Sequence, residues 1–107
     1  MGTKFVSVYI TSAGMEEAEK IQKALVEERL AACVNIIPEI RSCYWWKDRI
    51  ENSVEVGIVA KTRLSLMGKL IKRVKQIHSY TAPCIVAWPI IAGNSDFLKW
   101  IEKETKG

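Results

Sequence analysis

The chain has 107 residues, 49% of them hydrophobic; that fits one domain spanning 1–107 with its own core, and no segment reaches the ~18 or more uncharged apolar residues of a membrane span. The net charge of +4 is a mild excess of interspersed charges, so neither nucleic acid nor membrane is an expected partner, and the densest basic stretch, Lys69, Lys72, Arg73 and Lys75, reads as the wet face of a helix. Three cysteines, Cys33, Cys43 and Cys84, lack CxxC or zinc-like spacing, which argues against a disulfide scaffold and for mostly buried free thiols.

The first residues alternate as a strand does and lack the apolar run of a signal peptide, while Lys4 and Phe5 after Gly2 argue against myristoylation. A cytoplasmic protein is expected. Lys4–Thr11 sets Val6, Val8 and Ile10 against Phe5, Ser7 and Tyr9, a strand. Ser12–Ala13–Gly14 breaks it, with Ser12 a candidate N-cap. Met15 to Arg29 is helical, with Ala18, Ile21 and Leu25 on one face and Glu16, Glu17, Lys20, Lys23 and Glu27 turned away.

Leu30–Ile37 is a second strand. Pro38 interrupts it and Ile40–Trp46 continues it, so one long bent strand with an edge or bulge at the proline is expected. Lys47–Asp48–Arg49 is a turn. Ile50–Thr62 runs back, with Val54, Val56, Ile58 and Ala60 on one face and Thr62 a candidate cap for the next helix. That helix, Arg63 to about His78, turns Leu66, Met67, Leu70, Ile71, Val74 and Ile77 inward. Pro83–Ile91 is a fourth strand, and a short helix from Ser95 carries Phe97, Leu98 and Ile101 on one side. The order β-α-β-β-α-β plus a terminal helix predicts an α+β, ferredoxin-like sandwich with both main helices on one face of an antiparallel sheet.

The middle hairpin outruns its cover. Leu30–Trp46 spans roughly 55 Å at ~3.3 Å per residue, whereas a first helix of about 15 residues covers only about 22 Å. The overhang, Ile40 to Val56, holds Tyr44, Trp45, Trp46 and Ile50. Adjacent tryptophans on a strand face opposite sides, so one ring sits in water unless another chain covers it. A closed homo-oligomer in which each hairpin adds strands to its neighbour is the economical answer; a C-terminal segment folded back over the arm is the alternative.

Leu30–Pro38 (LAACVNIIP), Ser42, Tyr44–Trp45–Trp46, Glu55, Lys61–Thr62, His78, Tyr80, Pro83, Pro89–Ile90, Gly93 and Leu98–Ile101 resemble the pattern of the divalent-cation tolerance (CutA) family over about residues 5–102. The resemblance implies the same fold, a homotrimer, no enzymatic activity, no organic cofactor, and a link to tolerance of copper and other divalent cations. It implies a copper-ligand position at His78. Two departures stand out: Cys84 replaces an acidic residue after Pro83, and Asp48 replaces the turn glycine after the tryptophan pair.

His78, the only histidine, together with Cys84 would offer an imidazole and a thiolate to copper or zinc, completed by other subunits; a helix-end histidine bonded to last-turn carbonyls fits as well. Cys33 is a further metal candidate, although a core thiol is the favoured reading. It lies roughly 33 Å along the strand from Cys43, too far to share an ion. Trp46, Glu55, Lys61 and Tyr80 match recurrent family positions and form the expected shared pocket, with an aromatic wall, one acid and one amine for a small polar ligand. An interfacial salt bridge packed on tryptophan fits the same residues. A trimeric sensor of a small anion or nucleotide, like the PII proteins, is the alternative function, although no phosphate-cradling glycine loop is present. An acylphosphatase-type enzyme lacks its glycine- and arginine-rich loop, and an RNA-binding sheet lacks its aromatic on the third strand.

Overall fold

Alternation in the first strand and 3.6-residue periodicity in the first helix decide how the chain begins. In the computed structural model, which describes residues 4–106, β1 (Phe5–Ser12) leads into α1 (Met15–Glu27). The hairpin β2 (Cys33–Trp46) and β3 (Arg49–Arg63) follows, then a 3₁₀ turn (Leu64–Leu66), α2 (Met67–Ile77), β4 (Ile85–Pro89) and α3 (Ser95–Glu104). Gly2 lies outside the described residues. The four strands form one antiparallel sheet in the order β2-β3-β1-β4. This is the expected ferredoxin-like α+β arrangement.

One sheet face is apolar by alternation and takes the helices. Val6, Val8 and Ile10 of β1 and Ile58 and Ala60 of β3 pack with Ala18, Ile21 and Leu25 of α1 and Leu70 and Val74 of α2. Burying each large aliphatic side chain there contributes about 1.5–3 kcal/mol.

Several boundaries differ from those read in the sequence. Ser12 does not cap α1: Gly14 holds the N-cap position, and the buried Ser12 hydroxyl donates to the Val56 carbonyl at 2.9 Å. No side chain caps the helix; Glu17 instead reaches back to accept from Ala13 N–H, just before the N-cap, at 3.0 Å. Helix α1 ends two residues early because Arg29 enters the left-handed region (φ 62°) and Leu30 N–H returns to the Leu25 carbonyl. Thr62 does not cap α2 either. It is fully buried and donates to the Leu30 carbonyl at 2.7 Å, tying β3 to the α1–β2 loop. Strand β4 is shorter than expected because its partners run only from Val6 to Ile10. In α3, Asn94 caps through Asp96 N–H, Ile101 is buried, and Phe97 lies exposed against Trp100.

The hairpin is the longest feature, and the long axis of the chain is 44 Å. That is short of the expected span because Leu30–Ala32 belong to the turn and a bulge contracts β2. Its loop has two residues, Lys47 and Asp48, both left-handed at φ 51° and 64°. Such a pair matches strand twist, so Arg49, expected in the turn, starts β3.

Candidate functional site

The site begins at an irregularity in β2. Ile37 pairs with Gly57 but Ile40 pairs with Glu55, so Pro38 and Glu39 oppose Val56 alone. Proline has no N–H for the ladder, and a two-against-one bulge accommodates it. The extra residue switches the parity of the strand. Before it, Cys33, Asn35 and Ile37 share the face of Glu55, Gly57 and Lys61; after it, Ile40, Ser42, Tyr44 and Trp46 do. The bulge therefore turns Tyr44 and Trp46 onto the sheet face that carries Glu55, away from the helices.

There they wall a cleft of about 750 Å³ at the root of the arm, closed on the other sides by Tyr9 and Thr11 of β1, residues 79–82 and Cys84. Glu55 is 6% exposed. Its Oε2 accepts from the Tyr80 hydroxyl at 2.7 Å. No buried side-chain oxygen or nitrogen among the described residues lacks a partner, and Oε1 has none, so Oε1 reaches the solvent of the cleft. Burial, followed by the hydrogen bond to Glu55 and its charge, pushes the Tyr80 hydroxyl far above the ordinary tyrosine range.

Tyr80 is fixed from behind by His78. Tyr80 N–H donates to His78 Nδ1 at 3.1 Å, and the rings lie 4.7 Å apart. A nitrogen that accepts carries no proton, so Nε2 bears it and donates to the Thr11 carbonyl at 2.7 Å. The imidazole is fully buried, with Glu17 at 3.7 Å from Nδ1. Glu17 accepts from Ser79 N–H as well as from Ala13 N–H. Burial raises the Glu17 pKa, but these bonds outweigh it and hold the carboxyl below its usual range. His78 thus bonds β1 and Tyr80, not the last-turn carbonyls.

The structure brings Trp46, Glu55 and Tyr80 to one cleft and leaves Lys61 out. Lys61 lies six residues from Glu55, roughly 20 Å along the strand, and hydrogen-bonds Asn35 at 3.2 Å. Shared parity placed the two on one face but said nothing of their distance along it. The metal candidates are likewise dispersed. Cys33 pairs with Lys61 at the far end of the hairpin. Both His78 nitrogens are engaged, leaving no lone pair for a metal. Cys84 lines the cleft, but burial and then the Glu55 charge raise its pKa, so the thiol keeps its proton. Among the described residues no group of three or more His, Cys, Asp or Glu stands close enough to hold an ion. One chain alone does not fit a bound copper. Nor are the thiols mostly buried, since Cys43 and Cys84 are exposed. Sequence reading missed Tyr9, Thr11 and Tyr44 as cleft residues; the alternation of β1, which turns Tyr9 from the core, was the available signal for the first.

The sheet face opposite the helices carries exposed Ile37, Tyr44, Trp46, Val86 and Trp88, with Tyr9 packed on Trp88 at 5.6 Å. The other side of the arm exposes Trp45, at 71%, Ile50 and Val54. Val54, expected inside with Val56, is outside because no helix reaches that far.

These features define a ferredoxin-like sandwich with an acid-and-aromatic cleft at the root of a projecting hairpin. The family model described as CutA1 divalent ion tolerance protein matches residues 6–104. The divalent-cation tolerance protein CutA of Archaeoglobus fulgidus is 48% identical over 96 residues, 90% of this chain and 93% of that one. The structure described as the periplasmic divalent cation tolerance protein CutA from that organism matches at a TM-score of 0.92 with 44% identity, covering 95% of this chain and 99% of the other. The divalent cation tolerance protein of Thermus thermophilus matches at 0.93 with 45% identity and the same coverage. The chain belongs to the CutA1 divalent ion tolerance family.

Proposed function

We propose that this chain acts as a non-enzymatic homotrimer in cytoplasmic divalent-cation tolerance, and that any copper or other divalent ion it holds is held between subunits. The carrying observation is the pair of unsheltered surfaces, the open sheet face and the arm with Trp45, Trp46, Ile50 and Val54 exposed. The sheet has two unlike open edges, β2 and β4. Joining one to the other head-to-tail closes a ring, and three is the count that the family resemblance implies. Three unpaired cysteines suit a reducing compartment, although the Archaeoglobus relative is described as periplasmic. The alternative, a sensor of anions or nucleotides, is not favoured, because among the described residues the only charged one lining the cleft is Glu55.

Sedimentation equilibrium tests the assembly. A trimer at micromolar concentration is expected, weakened by Trp45→Lys combined with Trp88→Lys; a well-folded monomer overturns the reading. Elemental analysis of the trimer and of that weakened variant tests the ion, and metal retained stoichiometrically by the monomeric form would contradict an intersubunit site.

A further inference from the structure

One exposed side chain and one apolar slot belong neither to the open sheet face nor to the arm. Ile91, just past β4, is 90% exposed, more than any other large hydrophobic side chain among the described residues. The slot, of about 290 Å³, lies between the end of α1 and α3 and is lined by Val26, Ala31, Ala32 and Trp100, with charged residues at its rim. We propose that, in the head-to-tail ring on which this contact rests, Ile91 of one chain seats in the slot of the next.

Three placements carry it. The first is level along the strands. Pro89 pairs with Val6 and Val6 with Thr62, while Ala32 N–H bonds the carbonyl of the adjoining Lys61 at 3.0 Å. Ile91 and the slot therefore stand at the same end of the sheet. The second is edge. β4 and β2 are the outer strands, so the side chain flanks one edge and the slot flanks the other. The third is side. Ile85 and Ala87 of β4 pack on the core under the helices, whereas Val86 and Trp88 are exposed on the opposite face. Ile90 N–H still bonds the Phe5 carbonyl at 2.9 Å, so the alternation assigns Ile91 to the helix side, where α1 and α3 form the slot.

A join of β4 to β2 thus brings unlike edges together with the side chain and the slot at matching level and on matching sides. Within one chain they cannot meet, because three strand spacings of ~4.8 Å, roughly 14 Å, separate the edges. The chemistry fits too. An aliphatic anchor entering an apolar pocket inside a polar rim is the arrangement that concentrates binding energy at interfaces. Arg29 and Glu104 at that rim pair with each other at 2.7 Å, so covering them strands no unpaired charge.

The test is disulfide cross-linking of the full chain in which Cys33→Ala, Cys43→Ser and Cys84→Ser remove the native thiols. Ile91→Cys combined with Ala32→Cys is oxidised with diamide and read on a non-reducing gel, with sedimentation equilibrium on the unoxidised sample. Covalent trimers that stop at three chains are expected, since each chain then holds both halves of the contact; either cysteine alone can give no more than a dimer. With the native cysteines in place, Ile91→Asp, at an exposed position, should raise the dissociation constant about tenfold or more, and Ile91→Val should barely move it. The aspartate variant carries the test if the cysteine-free chain fails to fold. A sedimenting trimer that yields no covalent trimer, cross-links that run on past three chains, or a trimer unmoved by Ile91→Asp would each overturn this contact and leave the assembly reading standing. A well-folded monomer overturns both.

Discussion

Gly57→Ala tests whether the bulge is held by close packing. Gly57 lies in β3 between Thr11 of β1 and Ile37 of β2. A methyl there overlaps Ile40 Cδ1 and stands 3.3 Å from Ile40 Cγ1 and 3.5 Å from Ile37 Cβ. Gly57 is not in the left-handed region, so the backbone accepts alanine and the conflict is one of space. Ile40 is half-buried and must leave its rotamer, at about 0.5–1.5 kcal/mol, within an overpacking range of about 1–3 kcal/mol. Restricting the unfolded chain returns about 0.4–1 kcal/mol. The net expectation is a loss of about 0.5–2 kcal/mol, read as a lower urea midpoint at unchanged slope. Protein concentration must be fixed, because assembly adds concentration-dependent stability. Ile40→Val removes the overlapping atom, so the double variant should recover most of the loss, a favourable coupling between touching sites. Gly57→Ala that is as stable as the parent, or a double variant showing simple additivity, would refute the reasoning.

Thr62→Val keeps the shape but strips the buried donor from the Leu30 carbonyl, and should lower stability by about 1–3 kcal/mol in the same urea assay; an unchanged midpoint would contradict it. Alkaline titration addresses Tyr80. Its pKa is raised in the folded protein above the ordinary 10.0, so the unfolded chain loses that proton first. The stability this contributes is whole below pH of about 10 and is lost as pH climbs through the folded value. Phenolate absorbance should therefore show a delayed component that shrinks in Tyr80→Phe, where only Tyr9, also raised by burial, still lags, and a titration already complete in the ordinary range would exclude it.

The strands and main helices were legible because periodicity is local: Val6, Val8 and Ile10 alternate into the core, and Ile21 and Leu25 recur on one helical face. The overhang was legible as a disagreement of lengths. Ser12, Thr62 and His78 were not. Each is a polar residue beside a helix end, where local rules assign a cap, yet each bonds a distant partner: Val56, Leu30 and Thr11. A hydroxyl or imidazole takes the best acceptor in three dimensions, and the acceptor of His78 lies 67 residues away. The Glu55–Tyr80 pair was legible as membership of one pocket, through the family resemblance, but not as a bond. Lys61 came from the same resemblance, for a pocket shared between chains; within one chain it lies on the Glu55 face but away from the cleft.

The cleft depends on one residue of excess in β2. Had the strand run in continuous register from Ile37, the residues sharing the Glu55 face would be 39, 41, 43 and 45: Glu39, Arg41, Cys43 and Trp45. Arg41 would then stand on the acid's own face, two positions along the partner strand, and the carboxylate would have an internal cation. The bulge at Pro38 exchanges that set for Ile40, Ser42, Tyr44 and Trp46, leaving Arg41 to pair with the exposed Glu39 instead. A proline that merely bent an edge strand would not need this consequence. The uncompensated charge of Glu55 and the aromatic walls around it are thus two results of one register shift, which is why the cleft's electrostatics and its shape stand or fall together.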